Sequence, residues 1–162
     1  MLINQVIINS SPLIVLFKSQ QANLLPQLFS DILVPEGVWD EITSSGQNDA
    51  AASQLASSSW AQRVEVGNIA QEIATWDLGK GESEVLSLAL RNSGYAAIID
   101  DRAARRCSQT LDIMTIGTGR LLILAKQRGL IPFVSPRLQA LRDAGLWLSD
   151  DLINLLKQQA GE

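Results

Sequence analysis

Four short apolar runs, residues 2–8, 32–34, 96–99 and 113–116, punctuate the chain, and each gives way to a helix signal. That alternation constrains the fold more than any other feature. Strands joined through helices pair in parallel and need both faces covered, so the pattern predicts an α/β protein with a parallel sheet. After Val34, Pro35 suits a first helical turn, and Val38 with Ile42 sets i, i+4 spacing. Residues 119–129 carry Leu121, Leu122, Leu124 and Ala125 before a glycine stop. The Ser/Ala/Gln-rich residues 43–59 predict a turn and a weak helix, and residues 60–66 a short extended piece. Leu148-Ser149-Asp150-Asp151 reads as a capped start for a helix over 152–159. No linker splits the chain. We expect one domain over residues 1–148 and a C-terminal helix over 149–162 that packs on the domain or on a partner.

At 162 residues and 46% hydrophobic content, the chain can build a real core. The first nine residues hold no Lys or Arg, and Asn9 and Pro12 interrupt the opening apolar stretch, so neither a signal peptide nor a membrane span is expected. The expected location is cytoplasmic. Cys107 is the single cysteine and histidine is absent, which removes internal disulfides, Cys/His zinc sites, the Ser-His-Asp triad and HExxH proteases together. An enzyme built from this chain works with carboxylates. The formal net charge is −4, yet between Arg102 and Arg142 the only acid is Asp112, among Arg105, Arg106, Arg120, Lys126, Arg128 and Arg137. A basic segment therefore lies inside an acidic protein.

Ligands of open parallel sheets bind outside the carboxyl ends of the strands. There the chain is polar: Asn9-Ser10-Ser11 ends the first run, Asp100-Asp101 the third, and Gly117-Thr118-Gly119 follows the fourth. Each of these is also a good cap or turn residue. The helix over residues 81–90 offers a sharper test. With Glu82 at zero and about 100° per residue, Val85, Leu86, Leu88, Ala89 and Leu90 average near zero, so Glu82 shares the apolar face while Glu84 is expected in solvent. A carboxylate on that face is costly unless paired, protonated or metal-bound, although in a first turn it also favours the helix dipole. In the helix after Val34, Glu41 flanks the Val38/Ile42 stripe and Asp40 lies opposite. Glu41, Glu82, Asp100 and Asp101 gathered at one strand edge would repel one another unless their pKa values rise or a cation binds. Oxygen donors without His or Cys suit Mg²⁺ or Mn²⁺. Arg102, Arg105, Arg106 and Arg120 could then hold a phosphate backbone.

Taken in order, x-S-S-P-L, V-P-x-x-V-W-x-E-I, G-x-G-E-x-E, I-I-D-D-R-x-x-R and I-G-T-G with a helix ending R-G-L-I-P resemble the PIN-domain family, in its small prokaryotic VapC-type subgroup that begins D-T/S-S-P-L. The resemblance runs from about Ile3 to Leu148. It implies a three-layer α/β/α sandwich around a parallel sheet, and an acidic pocket that binds Mg²⁺ or Mn²⁺ for endoribonuclease chemistry. Many relatives are toxins paired with an antitoxin, and many form homodimers. Carried over by position, the family's acids fall on Asn9, Glu41, Glu82 and Asp101, with Asp100 adjacent. Ser10, Ser11 and Thr118 would hold metal-bound water or phosphate, and the arginines after Asp101 would hold RNA. At the first position the family's carboxylate is replaced by the neutral amide of Asn9. Two functions are therefore expected of such a chain: a metal-dependent ribonuclease, or a degenerate module that binds RNA or a protein partner. A receiver-type phosphotransfer domain would place its acidic pair after the first strand, and neither Asp-x-Asp nor a glycine-rich phosphate loop is present.

Overall fold

The computed structural model describes residues 2–44 and 50–162. Its elements run β1 (Gln5–Ile8), α1 (Ser10–Lys18), α2 (Leu24–Leu28), β2 (Asp31–Pro35), α3 (Glu36–Thr43), α4 (Ala50–Gln54), β3 (Ala61–Val64), α5 (Gln71–Ala74), α6 (Lys80–Arg91), β4 (Tyr95–Ile98), α7 (Arg102–Thr110), β5 (Thr115–Ile116), α8 (Thr118–Gln127), α9 (Ser135–Asp143) and α10 (Asp150–Gln159). The five strands are all parallel, in the order β3-β2-β1-β4-β5. Helices cover the sheet in the α/β/α manner expected.

The central strands are nearly continuous apolar runs because both faces are covered. Val6, Ile7, Ile8, Ala97 and Ile98 are fully buried. β1 pairs with β2 through Val6 opposite Ile32, and with β4 through Val6 opposite Ala96. The strands are shorter than the apolar runs. Residues 2–4 precede β1, and β5 is reduced to Thr115 and Ile116, although Met114 still accepts from Ala97 N at 2.8 Å. Pro35 closes β2 instead of opening the helix: its ψ of 150° is extended, and α3 starts at Glu36. The extended piece predicted over 60–66 is the edge strand β3. Of the stretch 43–59, residues 45–49 lie outside the described residues, and the short helix α4 follows them.

Three elements gave no clear signal in the sequence: α2, α5 and α9 are short or carry weak apolar periodicity, and packing holds them through Leu25, Ile73 and Leu141, all fully buried. The C-terminal helix begins as its sequence predicts, with the Ser149 side chain accepting from Leu152 N at 3.1 Å. It packs on α8, where Leu156 lies so close to Gly119 that an added methyl would stand 2.7 Å from Leu156 Cδ1. No helix among the described residues is long and apolar enough to cross a membrane.

Candidate active site

From β1 the chain crosses to β2 on one side and later returns to place β4 on the other. The crevice outside the ends of β1 and β4 is thus the switch point of the sheet, where ligands of such folds bind. Asn9 leaves β1 there, and its N–H still donates to Ile98 O at 3.1 Å. Asp100 and Asp101 leave β4 beside it, and Glu82 enters from the first turn of α6. Asn9, Ser11, Glu82, Asp100, Asp101 and Arg105 line one cleft of about 770 Å³.

Asn9 occupies the N-cap of α1 with extended backbone, φ −81° and ψ 165°. At such a position an amide oxygen ordinarily accepts from the helix two or three residues on. Here it caps nothing: the side chain makes no cap bond, the residue is 4% exposed, and Oδ1 is buried without a partner among the described residues. Leaving such an oxygen unpaired costs about 1–3 kcal/mol. Every other described helix of eight residues or more has a side chain on its N-terminal backbone. Glu84 accepts from Gly37 N of α3, Glu41 from Gly81 N of α6, Asp101 from Ala104 N of α7, Asp100 from Thr118 N of α8, Glu162 from Ser135 N of α9, and Ser149 from Leu152 N of α10. The exception sits at the switch point.

The three acids that line the cleft, and Glu41, which does not line it, differ in what they have left to offer. Glu41 spends both oxygens, accepting from Gly81 N at 3.1 Å and from Ser10 Oγ at 2.7 Å. Asp100 does the same, with Thr118 N at 2.9 Å and Thr118 Oγ1 at 2.6 Å. Glu82 uses only Oε2, on Gly79 N at 3.0 Å, and Asp101 only Oδ2, on Ala104 N at 2.9 Å. One oxygen of each therefore stays free of hydrogen bonds among the described residues. Burial pushes the Glu82 carboxyl above its ordinary value, the Gly79 N–H pulls it partly back, and the charges of Asp101 and Glu41 add to the rise. A carboxylate in that condition gains from any cation placed beside it.

Among the described residues no three acidic, Cys or His side chains gather into a metal-holding group. The set that fits a hard divalent ion is two carboxylates and an amide: Glu82, Asp101 and Asn9 Oδ1, which is buried and otherwise orphaned. Glu41 and Asp100 instead fasten α6, α8 and, through Ser10, the start of α1 around them.

The structure also sorts the remaining sequence candidates. Ser11 is exposed at the cleft, whereas Thr118 is fully buried with its hydroxyl committed to Asp100. Arg102 and Arg105 line the cleft, and Arg106 joins them in an adjoining hollow of about 410 Å³ along α7. Arg120 is not on the cleft itself but lines a neighbouring groove between α8 and α10, which shares Asp100 and Arg105 with it. These four side chains make no ion pair among the described residues.

Glu84 corrects the sequence reading. Expected in solvent, it is 6% exposed, because α3 packs on that side of α6 and presents Gly37 N to Glu84 Oε1 at 3.1 Å. Beside it Ser87 is fully buried and accepts from Ala70 N at 3.0 Å. A wheel built on one apolar stripe misses a second, polar contact face. Sequence reasoning also passed over Trp147, which overhangs the cleft from the α9–α10 turn. Its one signal was a large aromatic between Gly145 and the Ser149 cap.

A family model described as PIN domain matches residues 5–162, almost the whole chain. No curated protein and no solved structure gives a match.

Proposed function

Because this chain belongs to the PIN-domain family, we propose that it is a nuclease of metal-dependent type, an endoribonuclease whose working residues are Glu82, Asp101 and Asn9. The observation that carries this reading is the buried Asn9 Oδ1, without a partner among the described residues, in a residue that lines one cleft with two carboxylates that each keep an oxygen free. A Mg²⁺ or Mn²⁺ ion held there supplies a polarised water and a sink for the charge of an in-line displacement at phosphorus. The protein does the rest. Asn9, Glu82 and Asp101 provide the oxygens that hold the ion. Glu41 and Asp100, through their backbone bonds, keep the starts of α6 and α8 at fixed positions around the cleft. Arg102 and Arg105 offset the negative field and hold the phosphates that acids alone would repel. The uncapped N-terminus of α1 adds its partial positive charge on the same side.

The test is Mn²⁺-dependent cleavage of RNA by the purified chain, with loss of cleavage in Glu82→Gln and in Asp101→Asn. Calorimetric titration of Mn²⁺ into the wild type and Asn9→Asp reads the pocket directly.

The neutral amide at position 9 favours a second reading, a degenerate module that binds RNA or a protein partner without cutting. Salt-dependent RNA binding without cleavage, together with cleavage by Asn9→Asp, selects it. The resemblance to VapC-type toxins extends the first reading to a cytoplasmic homodimer held in check by an antitoxin. Growth arrest on expression, relieved by a co-expressed partner, and the sedimentation mass of the chain test that extension.

A further inference from the structure

Trp147 is 82% exposed, more than any other large hydrophobic residue described. Its indole makes no hydrogen bond among the described residues, yet the backbone that carries it is held on both sides. Leu146 N donates to Leu141 O at 3.0 Å, Gly145 takes the left-handed φ of +113° that the turn requires, and Arg142 Nη2 donates to Leu148 O at 2.7 Å and Asp150 Oδ1 at 2.9 Å. Leu148, the next residue, is buried. The turn thus displays one flat aromatic surface, at fixed position, on the rim of the cleft that holds Asn9, Glu82 and Asp101. Arg102 and Arg105 line the same cleft with no carboxylate partner among the described residues.

A cationic strip beside an exposed aromatic face is the combination that binds single strands, the strip taking phosphates and the ring taking a base. We propose that Trp147 is the base-stacking residue of this protein: it receives one unpaired base of a single-stranded RNA whose phosphates lie along Arg102 and Arg105. The inference rests on the nuclease reading and adds to it a positioning residue and a demand for an unpaired base next to the cleft. A duplex, whose bases are already stacked on one another, cannot meet that demand.

The test uses the full chain with Glu82→Gln, so that the strand stays whole, and fluorescent single-stranded RNA of mixed sequence. Adding Trp147→Ala is expected to weaken binding about tenfold, with the slope of log Kd against log salt unchanged, while Trp147→Phe keeps most of the affinity. Arg102→Ala with Arg105→Ala should instead lower the slope. RNA is expected to quench part of the tryptophan emission, and that part should vanish in Trp147→Phe, which retains Trp39, Trp60 and Trp76. The proposal is overturned if Trp147→Ala binds as tightly as its parent while the arginine variant does not; the nuclease reading then stands alone. Equal affinity for duplex and single strand overturns it too, and so does a Trp147→Ala variant that changes only the sedimentation mass, which would make the patch a protein interface. If the parent binds no RNA and the wild type cuts none, both readings fall together.

Discussion

Two seams of this molecule bring a polar side chain to the start of a helix, and they resolve it in opposite ways. Between α3 and α6, Glu84 is buried against Gly37, its carboxylate satisfied by a backbone N–H and closed in by a residue with no side chain. Between β1 and β4, Asn9 is buried equally well, but its oxygen has no hydrogen-bond partner among the described residues, and the residue lines a cleft. Burial alone does not separate structure from function. A polar group that has found its partner belongs to the scaffold, and one that waits for a partner marks a site.

The sharpest way to break the contrast is Gly37→Ala. The added methyl would overlap the Glu84 carboxylate, forcing a buried charge off its donor, at a cost of about 3 kcal/mol. Urea denaturation should show that loss, and Mn²⁺ affinity in the folded fraction should stay unchanged. At the other seam, Asn9→Asp restores a charge to the site. A unit-charge pair at about 4 Å is worth about 4 kcal/mol at an effective dielectric of 20, so Mn²⁺ should bind at least about a hundredfold tighter by calorimetry. Gly81→Ala probes the boundary between the two behaviours. Its methyl would stand 2.7 Å from Glu41 Oε1, displacing that carboxylate from Gly81 N. A stability loss of about 1–2 kcal/mol with little change in Mn²⁺ affinity would place Glu41 with the scaffold. A large loss of affinity would move it into the site.

The smallest effect on stability belongs to Glu82→Gln. The folded carboxyl titrates above its unfolded value, so the native state binds protons more readily, and stability falls as pH rises from about 4.5 through that raised value. Removing the charge should therefore raise the melting temperature slightly at pH 7 and leave it unchanged below pH 4. A variant that melts lower at pH 7 would show that the Gly79 bond outweighs the strain.

Strand-helix alternation was enough to foresee the parallel sheet, because apolar runs of this length have few other ways to hide both faces. The acids at Glu41, Glu82, Asp100 and Asp101 were also legible, from their places at strand ends and on a helix stripe. What they do was less so, since each also ties down a helix start. The count of spent oxygens separates Glu82 and Asp101 from Glu41 and Asp100, and that count depends on which N–H the fold brings near. Glu84 and Trp147 escaped for the same reason: one answers to α3, the other to a cleft, and neither neighbour is local in sequence. The nearness of α7's arginines to that cleft was legible from their place directly after Asp101.

The strand order has a consequence for how the protein comes into being. β1 gains its first neighbour at Asp31, but the second arrives only with Tyr95, and Asn9 cannot reach Ile98 O before then. While the chain leaves the ribosome, the first half of the sheet can assemble long before Asp100 and Asp101 exist to face it. Long-range parallel pairing of this kind is slow to form. The cleft is therefore among the last parts to be completed, and a nascent or truncated chain that ends before residue 100 carries Asn9 and Glu82 without the two aspartates that stand beside them.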